Sequence, residues 1–177
     1  MTGVPSSAVI ERIGKGANAR DVGGLARLLL DAVDSNAGIS FLADLTEPEA
    51  EAWWRSVLES SSPRAVILVA RDSEGLVGTV QMQPAWAPNQ PHRADIAKLI
   101  VHRRARGRGI ARALMVAIER EARAAGFTLL LLDTCRGGAA ERLYASTGWM
   151  RVGEVPGFAL NPDGSACDTV FYYKQLA

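Results

Sequence analysis

Cysteine and histidine are scarce in this chain: Cys135, Cys167, His92 and His102 are all it has. Scattered, and without CxxC or HxxxH spacing, they argue against a zinc site, and no metal is expected. The cysteines read as free cytosolic thiols, with a Cys–His nucleophile pair as the other reading. Long apolar runs are missing too. No stretch approaches the ~20 residues of a membrane-spanning helix, so no membrane partner is expected. Met1–Val9 has no basic segment followed by an apolar one, so it does not read as a signal peptide, and a cytoplasmic location is expected. Neither sign of charge dominates: 20 basic residues face 19 acidic ones, net +1. That balance argues against a nucleic-acid partner. With no repeats or low-complexity tracts, what is left is globular composition, 48% hydrophobic and 22% charged. The 177 residues suit a single domain, 1–177.

Hydrophobic periodicity places the elements. Ala8–Ile13 reads as a strand. Asn18–Asn36 reads as a helix, with Val22, Leu25, Leu29, Ala32 and Val33 on one face. Thr46-Glu47-Pro48-Glu49 is a capping-box pattern that opens a second helix carrying Ala50, Trp53, Trp54, Val57 and Leu58. Ala65–Arg71 and Leu76–Gln83 form a hairpin, followed by a proline-rich loop over Pro84–Pro91. Ala94–His102 is a third strand of this central region. Gly107 and Gly109 precede a helix with Ile110, Leu114, Ile118 and Ala122 at four-residue steps, which ends at Gly126. Phe127–Leu132 is apolar throughout, as expected of a strand buried on both faces. Gly138–Thr147 is a short helix. Trp149–Val155 and Thr169–Leu176 are the last strands, joined through the turn Pro162-Asp163-Gly164. The order β-α-α-β-β-β-α-β-α-β-β predicts an α/β (α+β) fold with a mixed sheet and helices on its faces. The strand–helix–strand unit Ala94–Asp133 supplies a parallel pair.

The sharpest feature lies between that strand and its helix: Arg104-Ala105-Arg106-Gly107-Arg108-Gly109-Ile110-Ala111. Two glycines let the backbone turn tightly and approach a ligand without a Cβ. The first N–H groups of the helix then point at one spot, and its dipole favours an anion there. From Ile96 to Ile118 no acid occurs, while Lys98, Arg103, Arg104, Arg106, Arg108 and Arg112 all do. The inference is a locally positive site for a dianionic group such as a pyrophosphate. A P-loop needs G-x-x-x-x-G-K-[ST], which is absent; Gly14-Lys15-Gly16 is a fragment. A Rossmann fingerprint would use Gly107 and Gly109 but meets Arg112 at its third glycine, with Asp133 as the acid ~20 residues on; it predicts NAD.

A third reading covers nearly the whole chain. Arg106-x-x-Gly109-x-Ala111 matches the R/Q-x-x-G-x-G/A pattern of the GNAT family of N-acetyltransferases. Asp95-Ile-Ala-Lys-Leu-Ile-Val-His102 resembles that family's fourth strand, and Leu129–Asp133 its fifth. Ala140–Trp149, closed by Gly153, resembles the segment in which a tyrosine precedes G-F/W-x-x-x-G. The resemblance implies a mostly antiparallel sheet of about seven strands, with a splayed parallel pair of its fourth and fifth strands. It implies acetyl-CoA as acetyl donor, held by Leu99, Ile100 and Val101 and by Arg106, Gly107, Arg108, Gly109, Ile110, Ala111 and Arg112. It also implies direct attack of an amine on the thioester in a ternary complex, and homodimers are common in the family.

Within that scheme Tyr144 is the expected general acid. Asp95 is the first choice for the general base, acting through water, and Asp133 shares the role or grips the amine. An ammonium of pKa near ~10 is no nucleophile until it loses a proton. The acceptor is expected to meet the first two helices and their connection, where Asp31, Asp34, Phe41, Asp44 and Glu47 lie; Phe41 and Asp44, with Trp86 from the proline-rich loop, are the candidate contacts. Trp53 and Trp54 read as core. The acceptor expected is the amine of a small molecule, an amino-acid-like toxin or antibiotic among them. The alternatives are a protein or peptide N-terminal acetyltransferase and a non-catalytic acetyl-CoA-binding regulator.

Overall fold

In the computed structural model residues 8–60 and 62–176 are described. The elements are β1 (Val9–Ile13), α1 (Ala19–Asp34), α2 (Glu47–Ser60), β2 (Val66–Asp72), β3 (Gly75–Pro84), β4 (Arg93–Val101), α3 (Ile110–Ala124), β5 (Leu129–Cys135), α4 (Ala139–Ser146), β6 (Met150–Leu160) and β7 (Ala166–Gln175). One turn of 3-10 helix, Arg103–Ala105, links β4 to the glycine loop. Asn18 caps α1 by accepting from the Asp21 N–H at 3.0 Å. At α2 the Glu49 carboxylate takes both the Thr46 N–H, at 2.9 Å, and the Thr46 hydroxyl, at 2.6 Å. The capping-box residues therefore meet as the sequence predicts.

Seven strands form one sheet in the order β1-β2-β3-β4-β5-β7-β6. Every neighbouring pair is antiparallel except β4–β5. Alternation along the strands splits the core in two. On one face Val66, Leu68, Val80, Met82, Leu130 and Leu132 pack with Leu114, Met115 and Ile118 of α3 and Tyr144 of α4. On the other, Ile67, Val69 and Ile100 pack with Leu25, Leu28 and Leu29 of α1 and Trp54 of α2. None of the described helices is long and apolar enough to cross a membrane.

Three expectations change. β5 starts at Leu129 rather than Phe127 and is not buried on both faces: Leu130 and Leu132 are buried, while Leu129 and Leu131 are half-buried. Farther along their face, Asp133 borders a cleft. β6 and β7 are longer than the sequence pattern suggests, because β6 is an exposed edge strand whose apolar residues do not alternate with burial. The cysteines are not free thiols. Cys135 on β5 and Cys167 on β7 are disulfide-bonded, with Cα atoms 5.9 Å apart. Adjacent antiparallel strands bring together sulfurs that are 32 residues apart in sequence.

Candidate active site

The cleft exists because the parallel pair is short. β4 and β5 are in register only over Arg93–Asp95 and Leu129–Leu131. On the other side of β4 the register with β3 slips between Thr79 and Gln81, so Lys98 and Leu99 share the space opposite Val80. Lys98 is left-handed there, at φ 53°. A bulge of this kind bends a strand, and here β4 leaves β5 just beyond Asp95.

The opening holds a cavity of about 750 Å³. Its walls are Ile96–Leu99 of β4, Asp133–Cys135 of β5, Tyr144 of α4, the stretch Ser35–Ser40 after α1, and Cys167 with Asp168 of β7. A second cavity, about 410 Å³, adjoins it and shares Ala37, Ile39, Leu99, Arg106, Ala139 and Ala140. Leu99, Ile100, Val101, Arg106, Gly107, Gly109, Ile110, Ala111 and Arg112 line this second cavity. Of the ten residues expected to hold the cofactor, only the side chain of Arg108 is turned elsewhere, toward Asp72 at 3.3 Å.

Gly107 and Gly109 have φ 76° and 77°, a conformation that costs other residues but not glycine. A Cβ at either would meet nothing within 4 Å, so the backbone faces open space. Gly109 is the N-cap of α3 and caps it with no side chain. The first N–H groups of the helix are therefore offered outward, with the dipole's positive end, to an anion. A pyrophosphate fits this cradle.

The basic run is less positive in space than in sequence. Arg103 is clasped by Asp31 of α1, through its backbone N–H at 2.9 Å and through its guanidinium. Arg104 makes a two-pronged contact with Asp72 of β2, at 2.9 and 3.0 Å. Arg104, with Arg108 beside it, holds the Asp72 carboxyl down to about pKa 2. The expected positive patch thus shrinks, because acids from other elements fold onto an acid-free stretch of sequence. Arg106 and Arg112 remain at the cavity, donating to Ser35 Oγ at 3.3 Å and Ser146 Oγ at 2.8 Å.

At the other end the expected acids come together. Asp133 lines the larger cavity. Burial pushes its carboxyl up, and Asp95 nearby adds to that, while Lys98 opposes it. Asp95 sits at the last paired position of β4, bonded to Arg93 Nη1 at 2.7 Å, and its carboxyl is likewise raised by burial. Its side chain does not line the cavity. Tyr144 is buried among Trp149 and Tyr172, and burial, with Asp133 second, holds its hydroxyl well above the usual range. It is a tyrosine that keeps its proton until a strong base takes it.

None of the three expected acceptor contacts lines either cavity. Phe41 is half-buried, edge-on to Trp53 at 5.2 Å. Asp44 is exposed and Trp86 is 91% exposed, and neither lines the cleft. Trp54 is core, as expected, whereas Trp53 is half-buried and faces Lys98. Lys98 and Ser40 were missed as site residues. The available signal was a lone lysine inside the apolar run Ile96-Ala-Lys-Leu-Ile-Val101. Among the described residues no three His, Cys, Asp or Glu side chains converge as metal ligands.

A family model for GNAT acetyltransferases matches residues 29–149. The chain belongs to the GNAT family. It is 35% identical over 105 residues to an uncharacterized N-acetyltransferase encoded in the hisH-hisA intergenic region of Azospirillum brasilense, a match spanning 58% of this chain and 61% of that protein. Its fold matches a protein provisionally described as a phosphinothricin N-acetyltransferase, with TM-score 0.80 at 18% identity over 97% of this chain and 99% of the other. It also matches an acetyltransferase-type structure from Salmonella typhimurium that holds its cofactor acetyl-CoA, with TM-score 0.77 at 20% identity over 97% and 95% of the two chains. The GNAT fold, with one parallel pair in an otherwise antiparallel sheet, removes the Rossmann reading and its NAD. Acetyl-CoA is the cofactor of this family, and the glycine cradle fits its pyrophosphate.

Proposed function

We propose that this GNAT protein transfers the acetyl group of acetyl-CoA to the amine of a small molecule, by direct attack in a ternary complex. One observation carries the reading. A single continuous cleft joins an anion cradle at Gly107–Ala111 to the Asp133 carboxyl, raised in pKa by burial, where β4 and β5 part. Acetyl-CoA, when bound, supplies the thioester that the amine attacks. Asp133 accepts the amine's proton, because it lines the cavity while Asp95 stands behind it in an ion pair. Asp95 acts on Asp133 by keeping its carboxylate basic. A backbone N–H of β4, freed where the strand leaves β5, polarises the acetyl carbonyl. Tyr144 gives its proton to the departing sulfur.

Two supports favour a small acceptor. The runs Arg93–Asp95, Arg104–Gly109, Leu132–Thr134, Arg151–Gly157 and Pro162–Gly164 resemble most those of the tabtoxin resistance protein. The cavity is also bounded on several sides, with the segment after α1, β5 and β7 all contributing. The test is equilibrium binding of acetyl-CoA against NAD, followed by release of free CoA over panels of small amines and of peptides. Selective acetyl-CoA binding and turnover of small amines is expected. Turnover of peptide N-termini alone would overturn the small-molecule acceptor. The cytoplasmic location and single domain belong to the same proposal. So does a homodimer, supported by the edge strand β6, which exposes Met150, Val152, Val155, Phe158 and Leu160. Light scattering of the purified protein reads it directly.

A further inference from the structure

The acceptor end already holds a cation. Lys98 Nζ donates to Ser40 Oγ at 3.0 Å and lies 5.7 and 5.6 Å from the ring centres of Phe41 and Trp53. Lys98 and Ser40 are both left-handed without being glycine, at φ 53° and 77°. Backbone held in that region by residues other than glycine concentrates at ligand sites. Here it turns the lysine out of the β4 pleat and into the cavity that Asp133 lines. An ammonium has three N–H donors, and Ser40 takes one of them. Asp133 attracts it across the cavity, and burial lowers its pKa.

This arrangement suits some acceptors and not others. A plain amine reaching Asp133 brings its own ammonium beside that of Lys98, with water partly excluded. Like charges in such a setting repel strongly. An acceptor carrying an anionic group next to its amine brings a counter-charge of its own, so Asp133 is left to the amine. Its amine faces Asp133 while its anion faces Lys98, so the wall and the ligand are complementary in sign. Discrimination of this kind works by repelling the wrong partner as well as holding the right one.

We infer that Lys98 is a specificity-determining residue, which binds a carboxylate-class anion adjacent to the reacting amine and disfavours polyamines and uncharged-terminus peptides. The inference rests on the transferase reading above. Its test measures initial rates of CoA release for the wild type, Lys98→Met and Lys98→Arg. The acceptors are the common L-amino acids, each beside its own carboxamide, with spermidine and a short peptide amide. In the wild type, kcat/KM for the best amino acid should exceed that of its carboxamide at least tenfold. Lys98→Met should erase that preference chiefly through KM, and Lys98→Arg should keep most of it. Unchanged acetyl-CoA affinity shows that each variant is folded. A wild type that acetylates carboxamide or spermidine as well as the acid overturns the inference. So does a Lys98→Met variant that slows both members of a pair equally. Binding of acetyl-CoA with no amine turned over at all is a distinct outcome, which overturns the transferase reading and this inference with it.

Discussion

The two ends of the cleft are assembled in opposite ways. The phosphate end comes from one unbroken segment, Arg106–Arg112, whose two left-handed glycines and uncapped helix start are local properties. The acceptor end is gathered from distant segments: Ser35–Ser40, Lys98, Asp133–Cys135 and Cys167–Asp168. The first end needs only a turn and a helix to exist. The second needs the sheet to be complete, the β4 bulge to form and the α1–α2 connection to settle over it. Substitutions at the two ends should therefore separate affinity for acetyl-CoA from chemistry on the amine.

The largest effect is expected at the junction of the two ends. Tyr144→Phe removes one hydroxyl and keeps the ring packing against Trp149 and Tyr172. A drop in kcat of ~10²–10⁴ is expected, with acetyl-CoA affinity unchanged, as steady-state rates and calorimetry can show. Unaltered kcat would make the hydroxyl merely structural.

Asp133→Asn comes next, at roughly 10² in kcat. Its sign with pH is fixed by burial. Because the folded pKa lies above that of an ordinary carboxylate, the wild-type rate should still be climbing above the ordinary carboxylate range as pH rises. The Asn variant should lack that limb and recover part of the rate at high pH, where free amine forms unaided. Asp95→Asn tests the assigned order of the two acids: with a like charge gone, the limb should move to lower pH rather than vanish. If the limb vanishes in Asp95→Asn and survives in Asp133→Asn, their roles are reversed.

At the phosphate end, Gly109→Val forces a branched residue into φ 77° and places its Cβ in the open cradle. Acetyl-CoA affinity should fall at least tenfold, ~1.4 kcal/mol, with little change in kcat at saturation. An unchanged dissociation constant in the folded variant sinks the cradle assignment. The smallest effect is expected from Trp86→Ala. An aromatic ring that is 91% exposed and away from both cavities should leave kcat and KM within about twofold. A larger change would mean that the loop after β3 reaches the acceptor.

Legibility followed the same divide. The glycine loop and the capping box at Thr46–Glu49 are patterns of near neighbours, and the structure holds them where the sequence suggests. What the sequence hid was non-local. The acid-free window gave no sign that Asp31 and Asp72 would fold onto Arg103 and Arg104. The slip of β4 against β3 that delivers Lys98 is a property of paired strands, not of either alone. The meeting of Cys135 with Cys167 depends on the register of β5 and β7, which no spacing in a single chain states. Trp86 misled because a large ring in a proline-rich loop suggests a binding role, and here it simply faces water.

One part of the acceptor wall is made of sulfur. A side chain on Gly38 would start 3.0 Å from Cys135 Sγ and 3.6 Å from Cys167 Sγ, so the segment that carries Ser40 rests on the bond between β5 and β7. The reaction proposed for this cleft discharges a thiol. Solution conditions therefore become part of the enzyme's definition: the chain with the Cys135–Cys167 bond closed and the chain with it reduced are two chemical species with differently braced acceptor walls. Rates gathered from the two belong in separate columns, and the mass of the protein, to within two hydrogens, says which column applies.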